Sequence, residues 1–166
     1  AENNTSVGNW NMASTTTGSN NTALGSNAMG NNTTGASNTA VGSSALVANT
    51  TGGENTAVGK SALGNNTTAS YNVAVGTNSL NDITTGASNT GVGYKTLFRA
   101  TTASNNTAIG SNALQVNTSG SNNTAIGQAA FASNTTGGSG LAIGKSALTA
   151  NTTGDFNTGV GYDSLK

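Results

Sequence analysis

Few side chains in this chain are capable of acid–base or metal chemistry. There are five acidic residues and five Lys or Arg residues, and there is no His and no Cys. The commonest general base, the commonest metal ligand and the thiolate nucleophile are therefore all missing. The acids are scattered along the chain, and no two align as a general acid–base pair: Glu2, Glu54, Asp82, Asp155 and Asp163. The sequence predicts a protein that is not an enzyme and that uses no cofactor and no metal ion.

Two short segments resemble the end of a phosphate-binding loop, namely Gly59-Lys60-Ser61 and Gly144-Lys145-Ser146. The first Gly of that motif is missing from both, because Glu54 and Ser139 stand in its place. We interpret the match as chance, since it arises from a Gly that recurs along the whole chain and a variable residue after it.

Composition narrows the set of partners. The chain has 166 residues, zero formal net charge, 6% charged residues and 33% hydrophobic residues. This neutral balance gives no electrostatic reason to expect nucleic acid or an anionic membrane surface as a partner. No apolar run approaches the roughly 20 residues of a membrane helix, so no membrane insertion is predicted.

A unit of 17 residues recurs in constant register along the whole chain. Nine units are complete, the tenth ends at Lys166, and no unit contains an insertion or a deletion. A strict period of this kind is typical of a stacked repeat architecture, so we predict a single repeat domain over residues 1–166. The units begin at Asn4, Asn21, Asn38, Asn55, Asn72, Asn89, Asn106, Asn123, Gly140 and Asn157.

The unit, numbered from its first residue, reads as short extended segments. Position 4 is always a branched aliphatic residue, position 5 is always Gly and position 9 is always large and apolar. Gly, Asn and Thr are poor helix formers, whereas Thr-Ala-Val at positions 2 to 4 favours a short strand. With one unit per coil, the predicted fold is all-β, a parallel β-solenoid of about ten 17-residue coils.

The same pattern predicts how each coil is oriented. We expect positions 2, 4 and 9 to point into the core and the Gly at position 5 to form a tight corner. Stacked coils would place Asn above Asn at positions 1 and 12, and Thr above Thr at positions 13 and 14, as side-chain ladders.

Position 3 is then expected to point outward, yet it contains only Ala, Gly or Ser. A small outward column indicates close packing against another surface, although a tight corner with no room for larger side chains explains it too. We therefore predict self-association through Ala40, Ala57, Ala74, Ala108 and Ala125.

The two ends of the chain supply further candidates for self-association. Uncapped coils present open strand edges, which favour end-to-end stacking into an open filament. The candidate end residues are Trp10, Tyr162, Leu165 and Lys166.

Units five and six depart most from the pattern. Tyr71, Ile83, Tyr94 and Phe98 are candidates for a local apolar patch that makes lateral contacts. A repeat that has merely drifted explains these residues equally well.

The Asn-Thr-Ala-Val-Gly and Asn-Thr-Ala-Ile-Gly segments resemble the head repeats of trimeric autotransporter adhesins of the YadA type. They occur at residues 38–42, 55–59, 106–110 and 123–127. Related repeats also occur in phage tail-fibre-like and bacterial surface proteins. The resemblance implies parallel β-rolls with three chains side by side, and an extracellular homo-oligomeric surface protein. The period of 17 departs from the shorter unit of those heads, and no ligand-binding residue carries over, because the matching residues are the framework of the fold.

Three hypotheses for function follow from these observations. The first is a secreted structural protein that self-assembles, mainly end to end, into an extracellular filament or surface fibre. The second is a trimeric adhesin or tail-fibre head that binds a host or cell surface. The third is an ice-binding solenoid, since paired Thr columns such as Thr50 and Thr51 can order water.

Overall fold

The computed structural model describes all residues, 1–166, and confirms the all-β parallel solenoid of 17-residue coils. Each coil contributes one three-residue strand, and the ten strands form one parallel sheet in chain order from β1 to β10. There is no helix, and so none that is long and apolar enough to cross a membrane. The strands are β1 (Thr5–Val7), β2 (Thr22–Leu24), β3 (Thr39–Val41), β4 (Thr56–Val58), β5 (Val73–Val75), β6 (Thr90–Val92), β7 (Thr107–Ile109), β8 (Thr124–Ile126), β9 (Leu141–Ile143) and β10 (Thr158–Val160).

Equivalent positions of successive units lie directly above one another. In β3 and β4, for example, Ala40 pairs with Ala57 and Val41 pairs with Val58. Since neighbouring strands are about 4.8 Å apart, ten coils form a stack about 45 Å long. Most backbone hydrogen bonds join one coil to the next, including those of the corners.

The core is narrow and is built from positions 3, 8 and 9. Position 9 is fully buried along the middle of the stack, as predicted, for example at Leu46, Leu63 and Leu97. The Ala residues at positions 3 and 8 are buried as well, for example Ala57 and Ala62. Each coil therefore closes around one large apolar side chain and two small ones.

The predicted orientation of the strand is wrong. The branched aliphatic at position 4 faces outward, with Val75 37% and Ile126 38% exposed, and position 2 is partly exposed with it. The cause is the width of the interior, which Gly91 at position 3 reveals. A Cβ atom added to Gly91 would overlap the Leu80 side chain, so position 9 leaves room for only a small residue opposite it.

The corners are formed by backbone with positive φ. The Gly at position 5 has φ between 116° and 138° in every coil, as expected of a corner that favours Gly. The non-Gly residues at positions 7, 9 and 17 also have positive φ, which the sequence pattern did not indicate. Position 9 is the least expected of these, because Leu63, with φ of 51°, is not a residue that usually adopts the left-handed region.

The Asn ladder at position 1 is confirmed. Asn38 donates from Nδ2 to Gly52 O at 2.9 Å, while its backbone N–H donates to Asn21 Oδ1 at 2.9 Å. The same arrangement repeats up the stack, and these Asn side chains are buried. The ladder therefore gives hydrogen-bond partners to Asn side chains that are buried away from water.

The Asn ladder at position 12 is also confirmed, but it is interrupted. Asn66 donates from Nδ2 to Asn49 Oδ1 at 2.9 Å and to Ala69 O at 3.1 Å, closing the Asn-Thr-Thr corner. Ile83 and Ala100 occupy this position in the next two coils and are fully buried. Because Ile83 has no donor, Asn66 Oδ1 is left without a hydrogen-bond partner.

The Thr residues at position 13 bond to backbone rather than to each other. Thr33 Oγ1 donates to Thr50 O at 2.9 Å, and the same carbonyl accepts the N–H groups of Thr33, Thr34 and Gly35. The expected hydroxyl-to-hydroxyl ladder is thus replaced by a bond from each hydroxyl to the next coil. The Thr at position 14, such as Thr34, is exposed and its hydroxyl donates to no protein atom.

Phe131 and Gly140 compensate for each other in size, and this predicts a measurable coupling. A Cβ atom on Gly140 would lie 2.7 Å from Phe131 Cζ, whereas the neighbouring coils pair Leu114 with Asn123 at the same two positions. Gly140→Asn alone should lower the free energy of unfolding by about 2 kcal/mol through overpacking. The double variant with Phe131→Leu should recover most of this loss, giving a coupling energy of about 1 kcal/mol or more in a double-mutant cycle of denaturant unfolding. Strictly additive losses would contradict the compensation.

Candidate self-association surfaces

More than half of the large hydrophobic residues that are exposed lie on the outward face of the sheet. Its side chains come from position 4 of all ten coils, and we call them the outer aliphatic column: Val7, Leu24, Val41, Val58, Val75, Val92, Ile109, Ile126, Ile143 and Val160. The Thr side chains of position 2 flank this column, with Val73 and Leu141 in their place in two coils. No charged residue interrupts either position.

This face is unusual for a parallel sheet, because such sheets are normally covered on both faces. Only the inner face of this sheet is covered, by the chain's own core of Ala and Leu side chains. Eight of the ten side chains of the outer aliphatic column are 36–63% exposed, and Val41 and Val58 are partly buried.

The Ala residues expected to mediate contacts between chains lie inside their own chain. Their side chains face the core at 0% exposure, opposite the large residue of position 9. Their small size is therefore explained by the narrow interior rather than by a neighbouring molecule. The residues concerned are Ala40, Ala57, Ala74, Ala108 and Ala125.

The end residues are exposed. Trp10 is 70% exposed in the first coil, and Tyr162 and Leu165 are 71% and 63% exposed in the last. Lys166 forms an ion pair with Asp163, with 3.4 Å between Nζ and Oδ2. Strands β1 and β10 each have a single neighbour in the sheet.

The expected apolar patch of coils five and six is not a single patch. Ile83 is fully buried in the core, and Tyr71, 58% exposed, lies at position 17 before the strand. Tyr94 and Phe98 lie after the strand and flank the Lys95 ammonium, whose Nζ is 5.3 and 5.2 Å from their ring centroids. Proximity along the chain does not bring these residues together, because positions 17 and 6 lie at opposite ends of the strand.

The columns of Asn and Thr side chains differ in their exposure to solvent. The Asn residues at position 12 that begin Asn-Thr-Thr sequons, such as Asn49 and Asn134, are fully buried and hydrogen-bonded. An N-glycan cannot be attached to them in the folded chain. Of the paired Thr columns, only position 14 presents hydroxyls that the chain itself leaves free.

No pocket is present on the molecule, and no group of three acidic residues lies close enough to hold a metal ion. Comparison of the chain with protein families, curated proteins and solved structures finds no significant match. The structure thus shows a parallel β-solenoid of short repeats, and none of these comparisons supports the resemblance to YadA-type heads.

Proposed function

We propose that this protein is a structural subunit that associates with copies of itself, mainly end to end, into an extracellular filament or surface fibre. The observation that carries end-to-end association is the constant register of the coils, because each coil pairs with the next through the same strand contacts. The uncovered outer aliphatic column supports lateral contacts in addition, since a continuous exposed apolar face is typical of an interaction surface.

The constant register supports stacking along the axis. Each coil meets the next through the same strand pairing, repeated nine times from β1 to β10. A second copy placed on β1 or β10 would form the same parallel strand pairing that each coil already makes with the next. Such head-to-tail contacts do not close, so they extend into a filament.

A trimeric adhesin or tail-fibre head is the second candidate, and the outer aliphatic column favours it. Three chains with these faces turned toward a common axis would bury the column along its full length. The resemblance to YadA-type heads and the extracellular setting belong to this proposal as well. A host or cell surface would then be the partner of the assembled trimer.

Electron microscopy and mass measurement in solution test these two candidates together. A filament-forming subunit should give particles much longer than the roughly 45 Å of one stack, lengthening as concentration rises. Discrete short rods at high concentration would count against the filament, and a stable trimer with no longer species would favour the adhesin.

Polar substitution of the outer column tests whether that face carries the association. Val58→Thr, Val75→Thr and Val92→Thr combined keep branched side chains in the strand, so the fold should persist by circular dichroism. We expect the concentration needed for half-maximal association to rise about tenfold or more, since several apolar groups no longer gain from burial. The matched control is Thr68→Ser, Thr85→Ser and Thr102→Ser at position 14, which should leave association unchanged. Equal association of the Val→Thr variant and the wild type would contradict lateral association through the outer aliphatic column.

A further inference from the structure

The charged side chains are divided between the two long edges of the sheet. Positions 6, 7, 10 and 11 contain every Lys and Arg of the chain, and we call this the basic edge: Lys60, Lys95, Arg99, Lys145 and Lys166. Positions 16 and 17 contain three of the five acids, and we call this the acidic edge: Glu2, Glu54 and Asp155. All of these side chains are exposed except that of Lys95, which is partly buried.

The two remaining acids lie on the basic edge and have partners there. Asp163 pairs with Lys166, and Asp82 accepts a hydrogen bond from Asn65 Nδ2 at 3.0 Å. Five cations against two acids leave the basic edge with three net positive charges. The three acids of the acidic edge balance them, so the chain as a whole is neutral.

The order of positions within the coil places these edges on opposite sides of the outer aliphatic column. Positions 16 and 17 precede the strand with only position 1 between, and positions 6 and 7 follow it with only position 5 between. Position 10 returns to the same side, as the approach of the Lys95 ammonium to the Phe98 ring shows, and position 11 follows it directly in the chain. An extended chain advances about 3.3 Å per residue, so the three-residue strand spans about 10 Å and the edges are at most about 20 Å apart. Both distances exceed the Debye length of about 8 Å in physiological salt, so the charges on the two edges of one molecule are screened from each other.

Charges on the two edges also lie at matching heights along the stack. Lys60 follows Glu54 by six residues and Asp155 follows Lys145 by ten. Because a full coil of 17 residues rises about 4.8 Å, the members of each pair differ in height by about 2 to 3 Å. Two copies that stand parallel and level therefore bring both pairs opposite each other.

We propose that copies of this chain associate side by side, acidic edge against basic edge, with parallel axes and in the same register. Glu54 faces Lys60 of the partner subunit, and Asp155 faces Lys145 of the partner subunit. The contact is heterologous, so each copy retains one free edge of each sign and can bind a further copy. This inference rests on the proposed self-association and specifies its orientation.

An antiparallel arrangement is disfavoured by the same charges. Turning one copy end over end, with its outer aliphatic column still on the same side, brings like edges together. Exposed ion pairs contribute only about 0–1 kcal/mol each, so the edges select the orientation and register of a lateral contact that is weak and sensitive to salt.

Charge reversal with complementation tests this pairing. In Glu54→Lys/Asp155→Lys both edges are positive, and in Lys60→Glu/Lys145→Glu both are negative. All four side chains are exposed, and position 16 is Ala at Ala36 and Ala87, so the fold does not depend on the bond from Gly138 N–H to Asp155. Mass per unit length, measured by small-angle X-ray scattering at low salt, reports lateral association separately from filament length.

We expect the wild type to exceed the single-rod mass per unit length by about twofold or more, and each reversed variant alone to remain at the single-rod value. An equimolar mixture of the two variants should regain the wild-type value, and so should the variant with all four reversals. Salt near 1 M should return the mass per unit length of the wild type to the single-rod value, because the Debye length falls to about 3 Å.

The possible failures are distinguishable. If each reversed variant associates laterally as the wild type does, or if neither the mixture nor the fourfold variant recovers, the edge pairing is wrong while filaments in the electron microscope still support the proposed function. If the wild type remains a single short rod in both measurements, both proposals fail.

Discussion

Gly59→Ala is expected to destabilise the stack by about 3 kcal/mol or more, although it adds a single methyl group. Gly59 has φ of +131°, in a region that side chains rarely adopt, and an added Cβ would lie 2.7 Å from the carbonyl carbon and oxygen of Gly76. Both atoms belong to the backbone carbonyl of Gly76, which cannot move aside without breaking the pairing of that coil with the next. Denaturant unfolding followed by circular dichroism measures the loss.

Gly53→Ala is the matched control for this substitution. The atom nearest to its added Cβ would be Ala36 O at 3.1 Å, and Gly53 does not have a positive φ. Two other coils carry Ala at the same position, at Ala36 and Ala87. We expect Gly53→Ala to change the free energy of unfolding by less than about 0.5 kcal/mol. Similar losses in the two variants would show that the corner at position 5 is not specifically intolerant of a side chain.

Asn49→Ala is expected to cost about 3 kcal/mol, because it removes the middle of a buried ladder. Asn49 donates from Nδ2 to Asn32 Oδ1 at 2.8 Å and to Gly52 O at 2.9 Å, and its own Oδ1 accepts from Asn66. After the substitution Asn32 Oδ1 has no donor in a site that is fully buried. Leaving that acceptor unsatisfied costs more than the net contribution of the bonds themselves.

Asn31→Ala separates this effect from a change in local propensity. Asn31 is an Asn in the neighbouring coil whose side chain is exposed and makes no hydrogen bond with the protein. The same Asn→Ala change there should fall within about 0.5 kcal/mol of the wild type. If thermal or denaturant unfolding placed the two variants at equal stability, the Asn ladder would contribute nothing specific.

Much of the fold follows from the periodicity alone. The period of 17 predicts one coil per unit, the invariant Gly predicts the corner, and the buried Leu at position 9 and both Asn ladders follow from stacking identical positions. Each of these depends only on which residues recur at equal spacing. Proximity along the chain does not predict a shared surface. Ile83 and Tyr94 are near each other in the chain, yet Ile83 is buried and Tyr94 is exposed.

The orientation of the strand could not be predicted in the same way. Alternation requires only that position 3 faces away from positions 2 and 4, and it does not say which side is inside. Choosing the larger apolar residue for the core overlooks the narrow interior, which has room for only one large apolar side chain in each coil. The small residues at both positions 3 and 8 were the available signal, because Ala57 and Ala62 share a narrow interior with Leu63.

The left-handed residues at position 9 had no sequence signal at all, since Leu63 or Leu80 would normally be assigned to an ordinary helical or extended conformation. Their backbone conformation is set by the need to turn the coil while directing a large side chain inward. Tertiary packing thus decides a local conformation that residue type argues against.

Thiol accessibility along a single coil tests most directly whether the outer aliphatic column is the surface that copies of this chain bury. The chain has no Cys, so Val58→Cys and Thr68→Cys each introduce the only thiol, one on the column and one on an exposed corner. In dilute, dispersed protein both thiols should react rapidly with a soluble reagent. On association we predict that the thiol at position 58 is protected about tenfold or more while the thiol at position 68 reacts as before. Equal reactivity of the thiol at position 58 in the dispersed and associated protein would show that the column stays in water, and self-association through this face would be wrong.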